Sequence, residues 1–158
     1  MARRLPLALL IASLAILGVA LAFQFIGGLQ PCEICLYERW PYDGVALLAL
    51  LALIVGRRRV SRIVLVAAAA IFLAGTGLAA YHFGVERHWL PGPAACTAPT
   101  RQANSAAALE AQLEATPIVR CDRIQESPIG DLVAWNLAVS LILALCCAVA
   151  QTRLKETG

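Results

Sequence analysis

Four cysteines of this chain have positions that suit thiol–disulfide chemistry. Cys32 and Cys35 are separated by two residues, and Cys96 and Cys121 lie much further along the chain. A Cys-x-x-Cys spacing is typical of catalytic dithiols, because a disulfide that closes so short a loop stabilises the fold very little. Four cysteines allow three pairings, among which the sequence does not choose. The residues therefore indicate a redox-active dithiol with two further cysteines that can exchange with it.

Two other residues can act on these sulfurs. If a helix begins near Cys35, its sulfur lies at a helix N-terminus, and Arg39, four residues on, lies on the same face. Both features stabilise a thiolate, so we expect Cys35 to be the thiolate. An arginine at the mouth of an apolar helix needs an anion, a lipid headgroup or a ligand oxygen as its partner. His82, near the end of an apolar run, is either a site residue or a water-facing polar residue.

Metal binding is the main structural alternative for the cysteines. Four cysteines that include one Cys-x-x-Cys pair can form a tetrahedral zinc site. Zinc sites of that kind usually draw on two such closely spaced pairs, whereas Cys96 and Cys121 are separated by 24 residues. The spacing therefore favours disulfide chemistry and predicts no metal.

Long apolar segments must position these residues. Of the 158 residues, 60% are hydrophobic and 15% are charged, which is too apolar for an ordinary soluble domain. We predict an all-α membrane protein, a single domain over 1–158 with four transmembrane helices in one bundle. The predicted helices cover about 5–26, 41–56, 63–84 and 131–150, and the two periplasmic loops cover about 27–40 and 85–130.

Two of the predicted spans have alternatives. The first could be a secretory signal with Ala20-Leu21-Ala22 as its cleavage site, but its apolar run is longer than that of a signal peptide. The second is short enough to be re-entrant. Trp40 and Tyr42 at one end and the arginines that start at Arg57 at the other are the expected anchors of a spanning helix. We therefore expect a retained first helix and a spanning second helix.

The charge distribution orients the bundle. Cytoplasmic loops of membrane proteins collect Lys and Arg. With both termini inside, the inner segments hold eight basic residues and one acid, and the outer segments hold five basic residues and nine acids. The pattern predicts a multi-pass membrane protein with both termini in the cytoplasm. The lipid bilayer is then a partner, and no nucleic-acid partner is expected. If the membrane is a bacterial inner membrane, Cys32, Cys35, Cys96 and Cys121 face the oxidising periplasm.

The remaining polar and sulfur-containing residues carry weaker signals. Asn104-Ser105 can cap a short helix that runs to Leu113, either on the membrane surface or packed within the loop. Cys146 and Cys147, near the inner end of the last helix, are expected to pack as small apolar side chains. Gln24 and Asn136 are polar residues within apolar runs. Hydrogen bonding between helices explains them as readily as ligand contact does.

These residues resemble the DsbB family of disulfide bond formation proteins, which are quinone reductases of the bacterial inner membrane. The resemblance is carried by the PCxxCxYxR block from Pro31 to Arg39, the stretch from Tyr81-His82 to Glu86, Cys96 after a Pro-Gly-Pro segment, and Arg120-Cys121-Asp122. The chain departs from the resemblance at Glu126-Ser127-Pro128, where a more aromatic stretch is expected.

The resemblance implies a thiol:quinone oxidoreductase. Reduced DsbA, a soluble thioredoxin-fold oxidase, would attack a Cys96–Cys121 disulfide and form a mixed disulfide at Cys96. Electrons would pass to the Cys32–Cys35 pair through a transient link of Cys32 with Cys121. Cys35 would then donate to a bound quinone, ubiquinone being favoured over menaquinone. The resemblance also implies two cofactor contacts, with Arg39 near the quinone oxygen and His82 close by.

Three other classes of protein share some of these features. A quinone reductase of the vitamin K epoxide reductase type also joins membrane helices to cysteine pairs, but its Cys-x-x-Cys would be expected in a later helix. A four-helix scaffold with structural disulfides predicts unreactive disulfides and no quinone dependence. A metal-binding membrane protein predicts bound zinc and four reduced thiols.

Overall fold

The computed structural model describes residues 3–93, 105–107, 110–111, 119–124 and 126–156. Its helices are α1 (Arg4–Phe25), α2 (Glu33–Tyr37), α3 (Trp40–Val55), α4 (Arg58–Glu86) and α5 (Leu132–Glu156), and its strands are β1 (Glu126–Ser127) and β2 (Gly130–Asp131). Half of the predicted segment from Asn104 to Leu113 lies outside the described residues, and so does Cys96.

Three of the helices are long and apolar enough to cross a membrane. These candidate spans, Arg4–Phe25, Arg58–Glu86 and Leu132–Leu154, have 22, 29 and 23 residues. A spanning helix needs about 20 apolar residues. Large apolar side chains point away from the bundle, with 59% of Ile11 and 62% of Ile63 exposed. The structure is therefore mostly helical and of the membrane class, as the composition predicts.

Helix α3 runs antiparallel to α1 between the same two ends of the bundle. It has 16 residues, which corresponds to about 24 Å, and its crossing of the membrane stays a prediction. At one end, the Nη1 of Arg39 donates to the Oε1 of Gln24 at 2.8 Å. At the other end, the guanidinium of Arg3 lies beside Gly56, which ends α3 in a left-handed conformation with φ of 67°.

Helices α4 and α5 pair in the same antiparallel way. The Nη2 of Arg62 donates to the carbonyl of Leu154, and the Nε2 of Gln151 donates to the carbonyl of Arg62, both at 2.7 Å. At the opposite end, Arg87 forms an ion pair with Asp131 at 3.0 Å. We call the end with Gln24, Arg39, Arg87 and Asp131 the cysteine end, and the end with Arg3, Gly56, Arg62 and Leu154 the basic end.

Tyr42 joins three helices in the buried core. Its ring lies 5.6 Å from that of Phe72 on α4, and its hydroxyl donates to the Oδ1 of Asn136 on α5 at 2.7 Å. The start of α3 approaches α4 so closely that a Cβ on Gly75 would lie 3.0 Å from the Cγ of Pro41. Small residues at helix interfaces permit such contacts in membranes. The cysteine end is therefore tightly packed on the side of α3 and α4.

A short hairpin precedes α5 in the segment where the chain departs from the resemblance. Strands β1 and β2 pair antiparallel, and Gly130 has a φ of 98°, which glycine adopts without strain. The indole of Trp135 donates to the carbonyl of Ile129 at 2.7 Å. The Oδ1 of Asp131 accepts from the backbone N–H groups of Val133 and Ala134. The hairpin is thus fixed to the first turn of α5, which Asp131 caps.

Candidate functional site

Cys32 and Cys35 lie together at the start of the short helix α2. Cys32 is the N-cap, with ψ of 171°, and its Sγ accepts a hydrogen bond from the backbone N–H of Cys35 at 3.1 Å. Both are free cysteines, and their Sγ atoms are 2.6 Å apart. Because a disulfide bond is about 2.05 Å long, the two sulfur atoms need to move only slightly when the dithiol is oxidised to a disulfide.

A buried histidine lies beside Cys32, and a buried carboxylate contacts the other side of its ring. The Nε2 of His82 lies 3.5 Å from the Sγ of Cys32, and its Nδ1 lies 2.9 Å from the Oε1 of Glu38. His82 is 1% exposed and Glu38 is 7% exposed. A proton on Nδ1, donated to Glu38, leaves Nε2 able to accept a proton from the Cys32 thiol. The arrangement is a hydrogen-bonded chain of carboxylate, imidazole and thiol.

The two thiols have opposite electrostatic environments. The hydrogen bond from the Cys35 thiol lowers the pKa of Cys32 to about 5, against the opposing effect of burial, and His82 adds to the lowering. The hydrogen bond with Cys32, together with burial, raises the pKa of Cys35 far above its ordinary value. In the reduced pair the surroundings therefore favour Cys32 as the thiolate, and the role of Cys35 as the thiolate that donates to a quinone stays a prediction. The physical reason is that Cys32 is the N-cap of α2, while Arg39 bonds Gln24.

Cys121, which is distant from the dithiol in the sequence, packs in the same buried cluster as Cys32. It is disulfide-bonded and 1% exposed, and it belongs to one buried apolar cluster with Cys32, Ile34 and Val85. We call these four residues the thiol cluster. The predicted partner of Cys121, Cys96, lies outside the described residues. The structure thus brings three of the four predicted catalytic cysteines to one place.

An apolar cavity of about 360 Å³ lies between α1 and α5 at the cysteine end. Cys35, Glu38, Arg39 and Tyr42 line it from α2, α3 and the junction between them, and its other walls are mostly apolar residues of α1 and α5. Among the described residues, His82 does not line this cavity. Cys35 therefore faces the cavity, whereas His82, predicted close to a quinone, faces Cys32 instead.

Four polar residues of the cavity lining form two hydrogen-bonded pairs. Gln24 accepts from Arg39, and Asn136 accepts from Tyr42. Each pair links two helices and also lines the cavity. Helix-to-helix bonding and ligand contact, which the sequence offers as alternatives for Gln24 and Asn136, are therefore compatible with each other.

The sulfur atoms of Cys32 and Cys35 and the imidazole of His82 form one tight group, in which the nearest ligand-type atoms all lie within 4.8 Å of one another. Glu38 holds the other imidazole nitrogen.

Neither Glu38 nor Tyr42 is among the site residues predicted from the sequence. Glu38 follows Cys35 by three residues, a spacing that places two residues on one face of a helix and could have drawn attention to it. Its pairing with His82 depends on how α4 packs, which no local pattern reports. Tyr42 is distinguishable from a simple membrane anchor only by its contacts with Phe72 and Asn136.

Comparison with known proteins gives one consistent result. The family model described as "Disulfide bond formation protein DsbB" matches residues 2–150. Disulfide bond formation protein B of Cupriavidus necator is 28% identical over 151 residues, covering 92% of this chain and 90% of its own. The protein of that name in Herminiimonas arsenicoxydans is 35% identical over 82 residues, 51% of each chain. An uncharacterized protein of Rickettsia prowazekii is 28% identical over 144 residues, 89% of this chain and 83% of its own. No solved structure matches the chain.

Proposed function

The chain belongs to the DsbB family of disulfide bond formation proteins, and from this premise we propose that it reoxidises a periplasmic dithiol oxidase of the DsbA type and passes the electrons to a membrane quinone. It is a multi-pass membrane oxidoreductase. One observation carries the proposal. The Cys32–Cys35 pair lies between two different surroundings, because Cys32 is buried within the thiol cluster with Cys121, whereas Cys35 packs at the edge of that cluster and also lines the apolar cavity.

The thiol cluster supports direct exchange between the two cysteine pairs. A thiolate of the reduced partner attacks Cys96, breaks its disulfide with Cys121 and releases the Cys121 sulfur. Cys121 then attacks Cys32, which breaks the Cys32–Cys35 bond and leaves the electron pair on Cys35. Cys32 and Cys121 are 2% and 1% exposed. Their burial in one cluster favours this intramolecular step over attack by thiols from solution.

The cavity fits the ring of a quinone. Ligand pockets are mostly apolar, measure about 300–1,000 Å³ and carry a few placed polar groups, and this cavity of about 360 Å³ has that character. Arg39 provides charged N–H donors at its edge, beyond the one that it gives to Gln24. A bound quinone supplies an acceptor for two electrons and two protons. Arg39 would orient its oxygen and stabilise the negative charge there, and ubiquinone is the quinone we expect.

The two antiparallel helix pairs support the proposed topology. Because α3 joins the same two ends as α1, which is a candidate span, we propose that α3 is the fourth transmembrane helix. The basic end then lies in the cytoplasm with both termini, and the cysteine end lies at the periplasmic face of the bacterial inner membrane. This placement gives the dithiol access to a soluble partner and the cavity access to a lipid-soluble acceptor.

The experiment is reoxidation of reduced DsbA by purified protein in detergent, with the endogenous quinone removed and ubiquinone then added back. We expect turnover only with quinone, its loss in Cys35→Ser and Cys121→Ser, and its retention in Cys146→Ser. Cys146 is the matched control because it is exposed on α5, far along the helix from the site. Absence of quinone-dependent turnover in the wild type, or full turnover in Cys35→Ser, would overturn the proposed function.

A further inference from the structure

Glu38 and His82 form a buried pair beside Cys32. Glu38 also lines the cavity, whereas His82, among the described residues, does not, and its Nε2 lies against Cys32. We propose that His82, held by Glu38, accepts the proton of the Cys32 thiol and then stays beside the Cys32 thiolate as its counter-ion. This inference rests on the proposed function, because it assigns the pair a step in the redox cycle of the dithiol. In that step His82 touches a reacting atom, and Glu38 is a positioning residue that acts through His82.

Burial makes Glu38 and His82 dependent on each other. A carboxylate that is 7% exposed is costly to bury unless it is hydrogen-bonded or paired with a positive charge. The 2.9 Å contact with Nδ1 provides that bond. It also fixes the orientation of the imidazole, so that Nε2 points at the Sγ of Cys32 from 3.5 Å. Glu38 therefore selects the nitrogen that meets the sulfur.

The backbone at the start of α2 completes the environment of the thiolate. The Sγ of Cys32 accepts the N–H of Cys35, at a helix N-terminus where negative charge is favoured. The thiol of Cys35 is a further titratable group that contacts it. Tyr81 packs against the surrounding apolar cluster, but its hydroxyl donates to the carbonyl of Pro91. Cys121 packs there as a disulfide and does not titrate. Among these described groups, the imidazole of His82 is the base that can take the proton.

Protons and electrons balance when the dithiol is reoxidised. The Cys32 thiol gives its proton to Nε2, which leaves a thiolate beside an imidazolium. The sulfur of Cys32 then forms the bond to the sulfur of Cys35, while two electrons go to the quinone acceptor of the proposed function. One proton leaves from the imidazolium and the other from the Cys35 thiol. His82 returns to the neutral form, and the disulfide is restored.

The test is a thiolate titration of the fully reduced protein, without quinone and without DsbA. Ultraviolet absorbance of the thiolates is followed against pH. The absorbance of reduced Cys32→Ser is subtracted, so that the signals of the other cysteines cancel and the difference reports the thiolate of Cys32. In His82→Gln the midpoint should rise by at least about one pH unit. Glu38→Gln should raise it in the same direction, and Glu38→Asp, which keeps the charge, should restore much of the wild-type value. His88→Gln and Glu33→Gln are matched controls that should leave it unchanged.

Two additions keep the test decisive. Thermal unfolding followed by circular dichroism establishes that each variant is folded, and His82→Asn, whose amide can still meet Glu38, replaces His82→Gln if the latter unfolds. Midpoints equal to wild type in the folded histidine variants would overturn the role of His82, and an unchanged midpoint in Glu38→Gln would overturn that of Glu38. Because the titration needs neither quinone nor partner, its failure is distinguishable from failure of the proposed function.

Discussion

Cys32 and Cys121 pack in one buried cluster, although Cys32 begins α2 and Cys121 follows the long segment after α4. Neither sulfur-bearing side chain is more than 2% exposed. Cys35, only one turn from Cys32, packs against the edge of this cluster and also lines the apolar cavity. The dithiol thus has one sulfur within the cluster that holds the disulfide-bonded Cys121 and the other toward a space that suits an apolar acceptor.

Arg39→Gln should weaken the use of quinone while sparing exchange with DsbA. The substitution removes a charged donor at the cavity edge, and a charge-assisted hydrogen bond contributes about 1.5–3 kcal/mol. We expect the KM for ubiquinone to rise about tenfold or more, measured by steady-state reoxidation of DsbA. Arg87→Gln is the control, since Arg87 lies at the same end but pairs with Asp131. An equal rise in both variants would refute a specific role for Arg39.

Cys35→Ala should move the titration of Cys32 toward alkaline pH. The pKa of Cys32 is lowered to about 5 chiefly by the hydrogen bond from the Cys35 thiol, so removing that donor disfavours the thiolate. Cys35→Ser, which keeps a hydroxyl donor, should show a smaller shift. The measurement is ultraviolet thiolate absorbance against pH. A Cys35→Ala midpoint that stays near pH 5 would contradict this assignment of the cause.

Asp131 should stabilise the hairpin through two separable interactions. Its Oδ1 caps α5, and its Oδ2 pairs with Arg87 at 3.0 Å. Asp131→Asn keeps a capping oxygen but loses the charge, whereas Asp131→Ala loses both. We expect Asp131→Ala to cost about 1 kcal/mol more than Asp131→Asn in thermal or denaturant unfolding. Equal losses would mean that the cap contributes nothing.

Gly75→Val should destabilise the contact between α3 and α4. Any Cβ at Gly75 meets Pro41 at 3.0 Å, and overpacking of this kind costs about 1–3 kcal/mol. Gly77, two residues along α4, has nothing within 4 Å of such an atom and provides the matched control. We expect a lower Tm for Gly75→Val than for Gly77→Val in the same detergent. Similar Tm values for the two variants would show that the close approach does not limit packing.

The long helices and the cysteines could be predicted because their signals are local. A run of about 20 uncharged apolar residues has few uses other than crossing a membrane, and α1, α4 and α5 correspond to such runs. The Cys-x-x-Cys spacing of Cys32 and Cys35 likewise identifies a dithiol without knowledge of the fold. Both signals depend on residue types at fixed separations, which the sequence states directly.

The electrostatics of the site could not be predicted because they depend on a break in the chain and on packing. The expectation of a Cys35 thiolate assumes that one helix runs from Cys35 through Arg39. In the structure, α2 begins at Glu33, so that Cys32 is its N-cap. Because α2 ends at Tyr37 and α3 begins at Trp40, Arg39 lies between the two helices and bonds Gln24. The Glu38–His82 contact joins residues far apart in sequence. Strands as short as β1 and β2 show no alternation that a sequence pattern could detect.

The most direct test of the two-sided dithiol compares two double variants. In Cys35→Ser/Cys96→Ser, the cysteines that remain in the outer segments are Cys32 and Cys121, and in Cys32→Ser/Cys96→Ser they are Cys35 and Cys121. Each protein is oxidised mildly in detergent, and its disulfides are mapped by mass spectrometry of non-reduced peptides. We predict a Cys32–Cys121 disulfide in the first variant and little or no Cys35–Cys121 disulfide in the second. Preferential linkage of Cys35 to Cys121 would contradict the account, because it would place the wrong sulfur toward the disulfide.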